Sequence, residues 1–193
     1  MLQYLLPFLA YILPAIFIKN IYISYIIRIA LTALLLFLYR KRYILKLRFN
    51  FLSILIGIAI FLIWLSLPFS YINEKFIPVG YMLIVKIIGF NLITPIIEEL
   101  FTRDFLIRQT IAIEKKKSIS KIGIGEFTPF SFIVSILFFG FSHNMWLAGI
   151  LSALLLNLLL YKNKSIGDCI VAHALANIIL TVYIVYTKSW FLW

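Results

Sequence analysis

A chain of 193 residues that is 64% hydrophobic, 17% aromatic and only 13% charged, with a mean hydropathy of +1.07, lies outside the composition of soluble domains. The formal net charge of +11 does not indicate nucleic acid, because the basic residues fall in short breaks between apolar runs and read as membrane-topology signals. A spanning helix takes about 20 apolar residues, and the breaks leave about seven such runs, which predicts an all-α polytopic protein forming one membrane domain, 1–193, in the bilayer.

Residues 2–18 read as a first span with Pro7 and Pro14. With no basic start and no small-residue cleavage site, this run is expected to be retained and not a signal peptide. A second span, 21–39, carries Arg28, which is expected to snorkel to an interface more readily than to serve as a buried partner. Neither span shows a recognisable site. Five basic residues follow, Arg40, Lys41, Arg42, Lys46 and Arg48, marking a cytoplasmic loop with an affinity for anionic headgroups at most. Residues 51–67 form the third span, and 68–80, with Glu74 and Lys75, an outside loop. The fourth span starts at Tyr81 and continues to about Ile113, ahead of the basic group Lys115, Lys116, Lys117 and Lys121. Spans at 127–142, 146–161 and 166–186 complete the set, with Lys162 and Lys164 between the last two. The inside loops then hold eleven Lys or Arg, against Lys19, Lys75 and Lys188 outside. This asymmetry places the N-terminus in the cytoplasm and the C-terminus outside a cell membrane.

Charged residues at membrane depth cost at least a few kcal/mol and usually face a protein interior or wet cavity. The fourth span carries Glu98, Glu99, Arg103 and Asp104. Glu99 and Arg103 are i and i+4 with the acid first, the favourable order for a helical ion pair. Glu98 points about 100° away, along a stripe with Asn91, Thr94, Pro95 and Thr102. Pro95 lacks an N–H and crowds the carbonyl of Asn91, so a bend there is expected to free that carbonyl. The chain has only two histidines, His143 after the fifth span and His173 in the seventh. Cys169, His173 and Asn177 share a helix face at spacings of four. Cys169, the single cysteine, permits no internal disulfide and reads as an inert buried thiol.

Two chemistries use this set. Glu98, His143 and His173 make the ligand count of a catalytic zinc site. Alternatively, Glu98 is a general base on water, with the histidines and Asn177 stabilising an oxyanion and no cofactor. Residue types alone do not separate them. A proton-coupled transporter is disfavoured, since no paired broken helices mark inverted repeats.

Glu98-Glu99-x-x-x-Arg103, Phe139-x-x-x-His143 and His173-x-x-x-Asn177, in this order, resemble the three motifs of the CPBP family, the CAAX prenyl endopeptidase and bacteriocin-processing (Abi) intramembrane proteases. Each motif is short, but together they use both histidines. The resemblance covers 81–186, leaving 1–80 as accessory spans. It implies a glutamate-type endopeptidase acting on a membrane-associated protein or peptide, with Glu98 activating water, His143, His173 and Asn177 completing the catalytic set, and Glu99, Arg103 and Phe139 in supporting places. The stretch 168–173 and the aromatic tail 190–193 also look like a prokaryotic subgroup associated with exosortase protein sorting. A non-catalytic scaffold or bacteriocin-immunity protein that keeps the motifs is the rival implied by the same family. Depth is the feature that fits poorly: at about 1.5 Å per residue, Glu98 lies about 25 Å from the outer start of its helix, His173 about 10 Å from an inner start, and His143 about 24 Å along from Phe127.

Overall fold

The computed structural model describes residues 1–45, 47, 49–67, 77, 78 and 80–193. The expected outside loop 68–80, Glu74 and Lys75 included, falls almost entirely outside the described residues. Among the described residues, short 3-10 turns aside, seven helical elements are found: α1 Leu2–Phe17, α2 Ile21–Tyr39, α3 Phe51–Ser66, α4 Tyr81–Glu114, α5 Pro129–Phe141, α6 Trp146–Asn163 and α7 Ile166–Thr187. No strand occurs among the described residues. By length and composition four are able to cross a membrane: α2 with its terminal turn Arg40–Arg42, α4, α6 and α7. The other three have only 16, 16 and 13 residues. They complete the bundle, but on length alone they are short of a full span.

Helix starts follow side-chain caps. Asn20 Oδ1 accepts from the backbone of Tyr22 and Ile23, Asn50 Oδ1 from Ser53, and Ser165 Oγ from Asp168. Thr128 and Ser131 form a reciprocal capping box ahead of α5, satisfying donors that the first turn leaves open. The prolines of α1 remove backbone N–H groups, and neighbouring hydroxyls serve carbonyls of that helix. Tyr43 donates to the carbonyl of Gln3, four residues before Pro7. Ser24 of α2 donates to the Pro14 carbonyl at 2.8 Å. The Gln3 carbonyl is the one that Pro7 deprives of its helical donor, and re-satisfying such a carbonyl is the condition under which proline is tolerated at membrane depth.

The apolar pattern is turned outward. Leu34, Leu62, Ile84 and Val182 are exposed, while Ser53, Ser135, Asn157, Glu99 and Arg103 are buried. Asn157 of α6 donates to Ser135 of α5 at 2.8 Å. Polar pairs and small residues hold such a bundle together, since lipid offers no contrast to an apolar helix face. Gly140 and Gly149 let α5 and α6 touch at their backbones, and a Cβ on Gly57 of α3 would stand 2.7 Å from the carbonyl of Ala172 on α7. Gly57→Val should therefore destabilise the protein by about 1–3 kcal/mol through overpacking and disturb the neighbouring His173. Unfolding midpoints in detergent check the first effect.

The described residues of the three basic segments gather at one end of the bundle, Lys46 and Arg48 lying outside the described residues. Tyr43 reaches Gln3. Asn50 and Asn163 both donate to Asp168, and Gly125 lies against Lys164. Arg108 donates to the carbonyls of Ile119 and Ile122. At the start of the loop into α5, Lys115 lies 2.9 Å from Glu126, and with the N–H of Gly123 it holds that carboxyl below the usual carboxylate range.

Candidate active site

The long helix α4 is not regular. Two π-helical segments interrupt it, Gly89–Ile93 and Leu100–Leu106, on either side of the stretch Thr94–Glu99 that carries both glutamates. π-bulges occur often at functional sites, and each shifts the register of the side chains beyond it. The stripe expected from simple helical spacing is altered accordingly. Thr94, Glu98 and Thr102 still line one cavity, whereas Asn91 accepts through Oδ1 from Thr181 of α7 at 2.9 Å.

Pro95 has a different consequence from the one expected. The N–H of Thr94 bonds to Gly89 and proline has no N–H, so the carbonyl deprived of both helical donors is that of Phe90. Asn177 Nδ2 fills the gap at 2.7 Å. The carbonyl of Phe90, not that of Asn91, is thus the backbone acceptor that ties α4 to α7. Asn177→Ala should strand this carbonyl and cost about 1–3 kcal/mol, seen as a lower denaturant midpoint in detergent.

The two adjacent acids diverge as their spacing predicts. Glu99 and Arg103 are both fully buried and pair through Oε2 and Nε at 3.2 Å and through Oε1 and Nη1 at 3.3 Å. Glu99 has a second partner that sequence did not reveal: its Oε1 lies 2.8 Å from His173 Nδ1. A carboxylate held by arginine accepts here, so the Nδ1 hydrogen of His173 points at Glu99 and Nε2 is the ring atom left for chemistry. A carboxylate behind a histidine fixes its tautomer and orientation.

Glu98 turns the other way, into the cavity, with Oε2 3.8 Å from His143 Nε2. His143 Nδ1 lies 2.6 Å from the carbonyl of Phe139. A carbonyl only accepts, so the hydrogen of the neutral ring sits on Nδ1 and a lone pair on Nε2 faces Glu98. The depth difficulty thereby disappears. Thr128 bonds to Glu114, so α5 begins beside the far end of α4 and runs back beside it to Glu98. Phe139 earns its motif place at the centre: its ring centroid is 4.6 Å from that of His143 and 5.9 Å from that of His173. The guanidinium of Arg103 stands 4.2 Å over its ring.

The cavity has a volume of about 360 Å³ and is lined by Glu98, His143, His173 and Asn177. It also draws on the N-terminal helices, which carried no motif: Tyr11 of α1, Tyr25 and Arg28 of α2, and Trp64 of α3 all line it. Tyr11 bonds to Thr94 at 2.8 Å, and Trp64 meets His143 edge-on. Arg28, expected to snorkel, instead faces this interior. Its signal was its charge within an apolar span. Cys169 is fully buried, with Sγ 3.5 Å from the Leu156 carbonyl, which fits an inert thiol. The Asp168 carboxylate is occupied at the start of α7, accepting from Ser165, Asn50 and Asn163. Among the described residues no three His, Cys, Asp or Glu side chains converge closely enough to hold a metal ion.

No curated protein and no solved structure matches the chain. A family model described as type II CAAX prenyl endopeptidase Rce1-like matches residues 78–179, just over half of the sequence. That stretch runs from the start of α4 to within α7 and contains both glutamates, both histidines and Asn177. All-helical, membrane-type in composition and matched across its polar centre, the chain belongs to the type II CAAX prenyl endopeptidase Rce1-like family.

Proposed function

We propose that the chain is an intramembrane endopeptidase in which Glu98 is the general base that activates water against a peptide carbonyl of a membrane-associated protein. The observation that supports this most is the separation of the two acids: Glu99 is committed to Arg103 and His173, while Glu98 faces the cavity beside His143. Two acceptors 3.8 Å apart, Glu98 Oε2 and the lone pair of His143 Nε2, suit a water molecule that donates one hydrogen to each. As the water oxygen attacks, its proton passes to Glu98. The tetrahedral oxyanion takes hydrogen bonds from His173 Nε2 in its imidazolium form, whose charge Glu99 supports, and from the second N–H of Asn177. Glu98 then returns the proton to the departing amine. Donors fixed in advance in a water-poor site are worth far more than in water.

On this proposal the steps use only Glu98, His143, His173 and Asn177, with no cofactor. The basic end of the bundle lies in the cytoplasm on this proposal, following the charge asymmetry, with the C-terminus outside a cell membrane. An association with a protein-sorting system rests on the sequence resemblance at 168–173 and 190–193. To test the function, cells carrying wild-type protein or Glu98→Gln are compared for membrane-associated proteins whose termini differ. The expected result is at least one protein that stays unprocessed with Glu98→Gln, and identical termini throughout would contradict the proposal.

A further inference from the structure

Helix α3 lies outside the matched stretch 78–179 and carries no motif, yet it brings a side chain to the site. Ser53, Gly57, Ile60 and Trp64 recur at helical spacing and share one face, and the first three are buried. Gly57 approaches the carbonyl of Ala172 so closely that the height of α3 against α7 is fixed. Two turns further on, the same face delivers Trp64 to the cavity. A tryptophan near the end of a span is ordinarily an interfacial anchor at headgroup level. Trp64 instead turns inward, and its indole N–H donates to Ser152 Oγ of α6 at 3.1 Å, where Ser152 is itself buried. The indole is thus held through its backbone by α7 and through its N–H by α6.

His143 needs such an external hold. It lies between the end of α5 at Phe141 and the start of α6 at Trp146, so no helical turn packs around its side chain, which stays 20% exposed. Its Nδ1 hydrogen goes to the Phe139 carbonyl at 2.6 Å, but Ser142 Oγ stands 3.2 Å from the same nitrogen. A hydroxyl can donate as well as accept. A ring that swings off the carbonyl can therefore carry its hydrogen on Nε2 and accept from Ser142 through Nδ1. That tautomer presents an N–H to Glu98 in place of a lone pair, and the attacking water loses an acceptor. Two rings oppose the swing, Phe139 at 4.6 Å and Trp64 edge-on at 5.7 Å, and of these only Trp64 is anchored on a different helix. We propose that Trp64, tied to Ser152, is a positioning residue that holds His143 in the Nδ1–H form with Nε2 aimed at Glu98. The inference deepens the endopeptidase reading and rests on it for any effect on cleavage, while the state of His143 is measurable without substrate.

The test is nuclear magnetic resonance of the full chain with isotope-labelled histidine in phosphatidylcholine nanodiscs, at about pH 8, where imidazole is ordinarily neutral. Ring-nitrogen shifts distinguish Nδ1–H from Nε2–H. The chain has only two histidines, so the His143 signals are those lost in His143→Gln. Wild type should show His143 in the Nδ1–H form. Trp64→Leu should move the ratio of the two forms towards Nε2–H by roughly two- to tenfold, the worth of one aromatic pair, and leave His173 unchanged. Trp64→Phe, which keeps a ring, should restore most of the Nδ1–H form, and Ser152→Ala, which leaves every ring in place, should give a smaller shift of the same sign. An unmoved ratio in Trp64→Leu and Ser152→Ala would overturn the inference, and so would equal shifts at both histidines, which mark a general loosening of the bundle. Should Trp64→Leu fail to fold, Ser152→Ala decides alone. In cells, processing of the protein that Glu98→Gln leaves unprocessed should slow by the same factor in Trp64→Leu. A tautomer shift with no slowing would count against the endopeptidase reading alone.

Discussion

Arg103→Ala should lower the folding stability of the protein by about 3–5 kcal/mol, the range found when one partner is removed from a buried ion pair. Both partners are fully buried, so no water replaces the lost guanidinium. Glu99 would keep only His173, at 2.8 Å, and its Oε2 would have no cation. Phe139 would lose the guanidinium 4.2 Å above its ring, and that ring contacts both histidines. Arg103→Lys should recover part of the loss, because a point charge replaces a planar fork. Chemical unfolding of the three proteins in one detergent checks this. Full stability of Arg103→Ala combined with lost activity would give the arginine a place in the chemistry itself.

Glu98→Gln should reduce turnover by several orders of magnitude while leaving the fold intact. The substitution preserves shape and hydrogen-bonding length but removes the group proposed to take the proton from water. General-base contributions alone are typically 10²–10⁴-fold, and no neighbour is free to substitute. Glu99 is turned away and held by Arg103 and His173. His143 Nε2 faces Glu98 and on the proposed mechanism would still hold the water but lose the carboxylate meant to receive its proton. The side chain lines a cavity and forms no short ion pair, so its neutralisation costs little stability. Glu99→Gln should behave in the opposite way, with stability lost first and activity through misorientation of His173.

Much of this arrangement is legible in the sequence, and the reasons for what is not are physical. Helix bounds follow apolar runs, so the starts expected at 21, 51 and 127 fall within two residues of those of α2, α3 and α5. The pairing of Glu99 with Arg103 follows from helical spacing, and the turning away of Glu98 from the same geometry. The bond from His173 to Glu99 joins residues 74 apart, and no local period encodes it. The π-helical segments are likewise hidden, because a bulge reads in sequence as an ordinary helix carrying Gly89 and Pro95. Arg28 and Tyr11 escaped as site residues because their helices have no motif. They act by filling space beside α4, a property of packing instead of pattern.

The separation of roles between the two glutamates is the centre of this account. Single-turnover cleavage of the substrate identified by its unprocessed terminus, measured for purified wild type, Glu98→Gln and Glu99→Gln alongside their unfolding midpoints, tests it most directly. Glu98→Gln should unfold like wild type and cleave at least a hundredfold more slowly, while Glu99→Gln should be clearly less stable and retain measurable cleavage. Near-normal cleavage by Glu98→Gln would contradict it.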